Sequence, residues 1–274
     1  MRNHRPFTGT LVVSTICLLA APSLFAEALF PKALHIVRRV EESLSGQSTT
    51  IEEYCAGNRI VTVQGNRVSV VDYDKQELTE IDHAKHTYSI TPFDAIAKAR
   101  KGQAVTHAEG AKWQTTPAGA KASAAGRSLD TVEMVREQPN LKEKIEIGID
   151  RQVGLSKDAI EALIGASYPN TRREQHDLLV DAARPQRGGG GRATISSVST
   201  GAADVYGLPS EQTMTFEADG TRVVTRNRVL SVSYDTVPPE LLNIEPGAAR
   251  VESNITLVPK ELESLDQLPA AKKP

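Results

Sequence analysis

From Ala33 to Thr91 the chain is divided into short β-branched runs at roughly nine-residue spacing, with turn residues between them. That pattern is the mark of an antiparallel meander. The runs are Ala33–Glu42, Ser48–Cys55, Arg59–Val63, Arg67–Tyr73, Gln76–Ile81 and Lys85–Thr91. Gln64-Gly65-Asn66, Asp74-Lys75 and Asp82-His83-Ala84 supply turns. Alternation is partial: Val61 and Val63 share a face, as do Tyr88 and Ile90, each pair with a polar residue between. One covered face and one wet face follow.

Beyond Pro92, Phe93–Lys101 has the spacing of a short helix, with Phe93, Ile96 and Ala97 on one side. Residues 102–126 read as a strand or loop around Ala111–Thr115 and then a flexible connection. Strands are expected at Thr131–Arg136 and Lys144–Val153, where Ile145, Ile147 and Ile149 alternate. Ser156 is placed to cap a helix whose apolar side is Ala159, Ile160, Leu163 and Ile164 and which Gly165 closes. Thr171–Ala183 gives a second amphipathic helix, and the stretch from Pro185 through Gly188–Gly191 to Arg192 reads as a loop. Strands return at Ser210–Glu217 and Thr221–Tyr234 around the hairpin turn Asp219-Gly220. Val237–Leu242 forms a helical turn at most, Arg250–Val258 alternates like a strand, and Asp266–Pro274 reads as a frayed tail.

The N-terminus sets the compartment. Arg2 and Arg5 precede the apolar run Leu11–Ala21, and small residues precede Glu27 and follow it. This is the layout of a secretory signal peptide, cleaved after Ala26 or Ala28. The run is short for a membrane span, so the exported chain is expected to keep no transmembrane segment and to be periplasmic or secreted. Loss of residues 1–26 removes two positive charges and moves the net charge from −2 to −4. A chain without excess positive charge is not a general nucleic-acid binder. Cys55 is then the one remaining thiol, so no internal disulfide is available and stability must come from the core.

Motifs for chemistry are sparse. Gly188–Gly191 lacks the Lys-Ser/Thr that completes a phosphate loop. His83 and His86 lie three residues apart beside Asp82, but across a turn and without a further ligand nearby in the sequence, so no metal site is expected. No serine sits in a Gly-x-Ser-x-Gly elbow. No catalytic residue and no cofactor is expected, and the chain does not read as an enzyme.

Two stretches carry a family resemblance. One is Arg67–Ser89, with an Asp-containing strand, a turn, Ile81-Asp82 and Lys85-His86-Thr87-Tyr88, followed by Pro92-Phe93-Asp94. The other is Gly207-Leu208-Pro209 and, later, Val237-Pro238-Pro239-Glu240-Leu241-Leu242-Asn243-Ile244-Glu245-Pro246-Gly247. In this order they resemble exported bacterial proteins related to the LolA/LolB lipoprotein-localisation fold, over roughly residues 50–100 and 205–250. The resemblance implies a strongly curved antiparallel half-barrel, helices over its concave side, and an apolar cavity for acyl chains. The helical insert at about 155–192 is an addition to that pattern, and no ligand-contacting residue transfers by motif.

The expectation is therefore a mainly β (α+β) fold: a curved antiparallel half-barrel sheet covered by short helices. Residues 27–262 would form one such domain, after a signal peptide at 1–26 and before a disordered tail at 263–274. Its function would be to bind an apolar ligand, such as a lipid or lipoprotein acyl chain, with helices 93–101 and 156–183 as a lid. Cavity walls would come from Val61, Val63, Tyr88, Ile90, Met214, Phe216, Leu230 and Val232. The alternative is a non-enzymatic cell-envelope interaction protein with the same sheet packed solid and an envelope protein as partner. A hydrolase with a dispersed site is a third reading.

Overall fold

The structure, a computed structural model, describes residues 28–102, 112–123, 125–167, 173–185 and 205–253. The signal-peptide stretch, the glycine run 188–191 and the tail 263–274 lie outside the described residues. Among the described residues twelve strands form one open, curved sheet, and the fold is mainly β as the sequence implies.

The first six strands are the meander: β1 Phe30–Glu42, β2 Ser48–Gly57, β3 Arg59–Gln64, β4 Arg67–Asp72, β5 Glu77–Asp82 and β6 Thr87–Pro92. Helix α1 (Phe93–Gly102) starts where Pro92 ends the last of them. The second block is β7 Gln114–Ala122, β8 Ser128–Gln138 and β9 Leu141–Leu155, then helices α2 (Lys157–Ser167) and α3 (Arg173–Ala183), then β10 Tyr206–Ala218 and β11 Thr221–Ser233. A 3-10 turn at Pro239–Leu242 and the two-residue β12 (Ala249–Arg250) follow. The strand order is β12-β6-β5-β4-β3-β2-β1-β11-β10-β9-β8-β7. The two β blocks therefore meet at one seam, where the first strand pairs with the eleventh. All pairings are antiparallel except that of β12 with β6.

Local chemistry explains the elements. In the β10–β11 hairpin, Asp219 (φ 49°) and Gly220 (φ 78°) are both left-handed, as a two-residue turn matched to strand twist requires. Ser156 Oγ accepts from the Ala159 N–H at 3.1 Å, which caps α2. Register shifts at Val37/Arg38 and between β9 and β10 mark bulges, which bend strands and add twist.

Residues paired across antiparallel strands point to the same side, so the register divides the sheet into two faces. Leu34, Cys55, Ile60 and Val71 lie on one, and His35, Tyr54, Val61 and Val70 on the other. The first is the helical face. There Ile145, Ile147 and Ile149 meet Ile160, Ile164, Leu179 and Val180, and Phe30, Leu34, Ile36 and Leu208 meet Ala159 and Leu163. The second is covered over the meander by the segment 234–253. Val237, Leu241 and Leu242 close over Val61, Val68 and Ile81. Farther along, toward β7, this face carries ion pairs instead, such as Lys121 with Glu146 and Glu211 and Lys144 with Glu133.

Three sequence expectations change. The connection after Thr115 contains β7, an edge strand of small and polar residues, exposed at every position but Lys121. With no buried face, it has no apolar alternation to read. Gly165 does not close α2, which runs on to Ser167, because its neighbours Leu163 and Ile164 are held in the core. Arg250–Val258 is no strand over its described part: pairing stops at Arg250, and Val251 stands exposed.

Candidate functional site

The eight candidate wall residues do not line one space. Val61, Val63, Tyr88 and Ile90 lie on the face covered by the 234–253 segment, as their register with Tyr54, Glu52, Ile81 and Thr79 shows. Val61 is buried there, and Val63 and Tyr88 pack against the same cluster. Met214, Phe216 and Val232 lie on the helical face, paired with Ile145, Glu143 and Ile36. Leu230 is the residue passed over where the β1–β11 register shifts. Alternation gives each strand's own two sides, but which sides join depends on register across the seam.

The interface between helices and sheet is the larger apolar feature. Every buried residue described in α2 and α3 is apolar: Ala159, Ile160, Ala162, Leu163, Ile164, Leu179, Val180, Ala182 and Ala183. Polar ties lie near its rim. Arg151 Nη1 donates to Ala183 O at 2.6 Å, and Tyr73 Oη donates to Ala162 O at 3.4 Å. Burial pushes the Tyr73 hydroxyl up to about 12, so it stays a donor. Tyr73 also meets Phe93 of α1 edge to face, with centroids 5.8 Å apart. Cys55 is enclosed within this core, and its thiol is pushed up, mainly by burial, so it is inert.

Two polar constellations lie on the opposite face. In the first, His35 of β1 stacks on Tyr54 of β2 with centroids 4.0 Å apart and planes 5° from parallel. His35 Nε2 is 3.1 Å from Glu52 Oε2, which also accepts from Tyr54 Oη at 2.8 Å. Ser233 Oγ lies 3.3 Å from His35 Nδ1 and donates to Asp235 Oδ2 at 2.6 Å. A cavity of about 230 Å³ adjoins it, lined by Tyr54, Arg59, Asp74, Asp235 and Val237 among others. No local motif marks this group. Ser233 and His35 are 198 positions apart and meet only through the β1–β11 pairing.

In the second, His83 Nδ1 and His86 Nδ1 lie 3.2 and 2.5 Å from the two oxygens of Glu245. The pair noticed in the sequence thus grips a carboxylate from the 234–253 segment. Hydrogen bonds from His86 and then His83 hold the Glu245 carboxyl below its ordinary range. The segment is also fastened by Ala249 N–H to His86 O at 2.8 Å, Val251 N–H to Tyr88 O at 2.8 Å, and Ser253 Oγ to Glu80 Oε2 at 3.0 Å. Among the described residues, no group of three or more metal-ligating side chains converges. A cleft of about 630 Å³ lies between the turns at Glu137–Lys142 and Glu217–Arg222.

No family model matches the chain, and no curated protein matches it. The solved structure of PNGF-II in a C2 crystal form aligns at 9% identity with a TM-score of 0.35, over 82% of this chain and 31% of that one. The chain thus spans less than a third of that protein's length.

Proposed function

We propose that the exported chain binds an apolar ligand, such as a lipid or a lipoprotein acyl chain, between the helical face of its sheet and the α2–α3 layer. What supports this reading is the character of that interface: all buried described residues of the two helices are apolar. Apolar contact is not directional, so such a layer can part from the sheet and close again around a chain of methylenes at the cost of few polar ties, those of Tyr73 and Arg151 to its carbonyls. Burying fourteen methylenes would gain a gross ~11 kcal/mol at about 0.8 each. Lost ligand freedom and movement of the helices offset much of that, leaving room for micromolar binding. Export rests on the N-terminal signal pattern alone.

A second reading, a non-enzymatic cell-envelope interaction protein, is favoured by a different observation. The apolar surfaces of both faces are already covered, by the helices on one and by the 234–253 segment on the other. Titration of the mature protein with a fluorescent fatty acid separates the two. Saturable uptake near one equivalent, displaced by unlabelled fatty acid, is expected of the carrier. No uptake favours the interaction protein.

A further inference from the structure

Glu52 decides the tautomer of His35. A carboxylate only accepts hydrogen bonds, so the 3.1 Å contact places the proton of the neutral ring on Nε2. Nδ1 is left with its lone pair, 3.3 Å from Ser233 Oγ and 3.8 Å from Asp235 Oδ2, to which the Ser233 hydroxyl donates. Stacking on Tyr54 holds the ring in plane. The Tyr54 hydroxyl, pushed up to about 12 by burial and by its bond to Glu52, remains a donor to that carboxylate. A hydroxyl, a base and a group that orients the base are the parts of an activated nucleophile, which is recognised by geometry and roles rather than by chain order.

We propose that Ser233 is such a nucleophile, with His35 as its general base and Glu52 as the positioning residue, acting on a small carboxylic ester. Ser233 Oγ bonds to the ester carbonyl carbon as its proton passes to His35 Nδ1. The carbon–oxygen ester bond then breaks, and the leaving oxygen takes that proton. Water attacks the acyl-serine, giving one proton to Nδ1. The acid departs as Ser233 Oγ is reprotonated from the ring.

Asp235 opposes the first step. It accepts the Ser233 hydroxyl at 2.6 Å and so competes with His35 for the proton. Its side chain is 73% exposed, on the coil after β11, and attack on the ester requires it to release the Ser233 hydroxyl to His35. The cluster lies on the face away from α2 and α3, so it stands or falls separately from ligand binding there.

The test uses the full mature chain with p-nitrophenyl acetate, following p-nitrophenol release and mapping the acetyl adduct by mass spectrometry. Acetylation at Ser233 is expected, at a rate that rises with pH as an imidazole base requires. H35Q should slow it at least tenfold and flatten the pH profile. E52Q should slow it, and D235A should speed it several-fold. Absence of an acetyl group on Ser233 in the unmutated chain overturns the proposal. So does a Ser233 acetylation rate unchanged in correctly folded H35Q.

Discussion

Arg38 Nε donates to Glu53 Oε2 across 2.6 Å, with both side chains almost wholly withdrawn from water. The same guanidinium donates through Nη1 to Pro209 O at 3.0 Å, so it ties the first two strands to the start of β10 across the seam. Removing one partner leaves a buried charge without its counterpart, which costs about 3–5 kcal/mol. Glu53→Gln is therefore expected to lower unfolding free energy by about 3 kcal/mol in urea. The double variant Arg38→Met with Glu53→Leu should recover much of that loss, because it removes both charges and keeps volume.

Gly207 marks a close approach of β10 to β9. A Cβ there would fall 2.5 Å from Ile149 Cγ2 and 3.0 Å from the Asp150 carbonyl oxygen. Backbone must then move, and overpacking of this kind costs about 1–3 kcal/mol. Gly207→Ala should lower the thermal midpoint accordingly, while Gly165→Ala, with open space at its Cβ, should not.

Much of this architecture was readable because its strands carry their own signals. The meander, the Asp219-Gly220 hairpin and the Ser156-capped helix each depend on residues close in sequence. What alternation could not supply was register between distant strands. Val61 and Val232 look alike as apolar strand residues, yet the β1–β2–β3 and β1–β11 pairings set them on opposite faces. The Ser233–His35 contact was hidden for the same reason. The length of β7 beyond Thr115 is not legible because an edge strand exposed at every position but Lys121 has no buried side to alternate.

Ser156 supplies one measurable part of the helical layer. Its Oγ accepts the Ala159 N–H at the start of α2, and loss of such a cap costs about 1 kcal/mol. Ser156→Ala should destabilise by that amount in urea unfolding, and Ser156→Asp should restore most of it.

The 234–253 segment is expected to loosen in acid through Glu245. Its carboxyl is held below the ordinary range in the folded chain by His86 and His83. A depressed carboxyl contributes stability that is fully present above its unfolded value, about 4.3, and is lost as pH falls through the lower folded value. Hydrogen exchange of the Ala249 and Val251 amides should therefore show less protection, relative to core strands, at about pH 3 than at about pH 6. In Glu245→Gln that difference should shrink. An unchanged difference would mean that other carboxyls fasten the segment.

Ligand capture by the helical layer is tested most directly by native mass spectrometry of the protein purified gently from its producing cells. The predicted result is a peak heavier than the bare chain by the mass of one apolar molecule, lost on organic extraction and regained when fatty acid is added. A bare chain that stays bare after fatty acid is supplied would contradict the account.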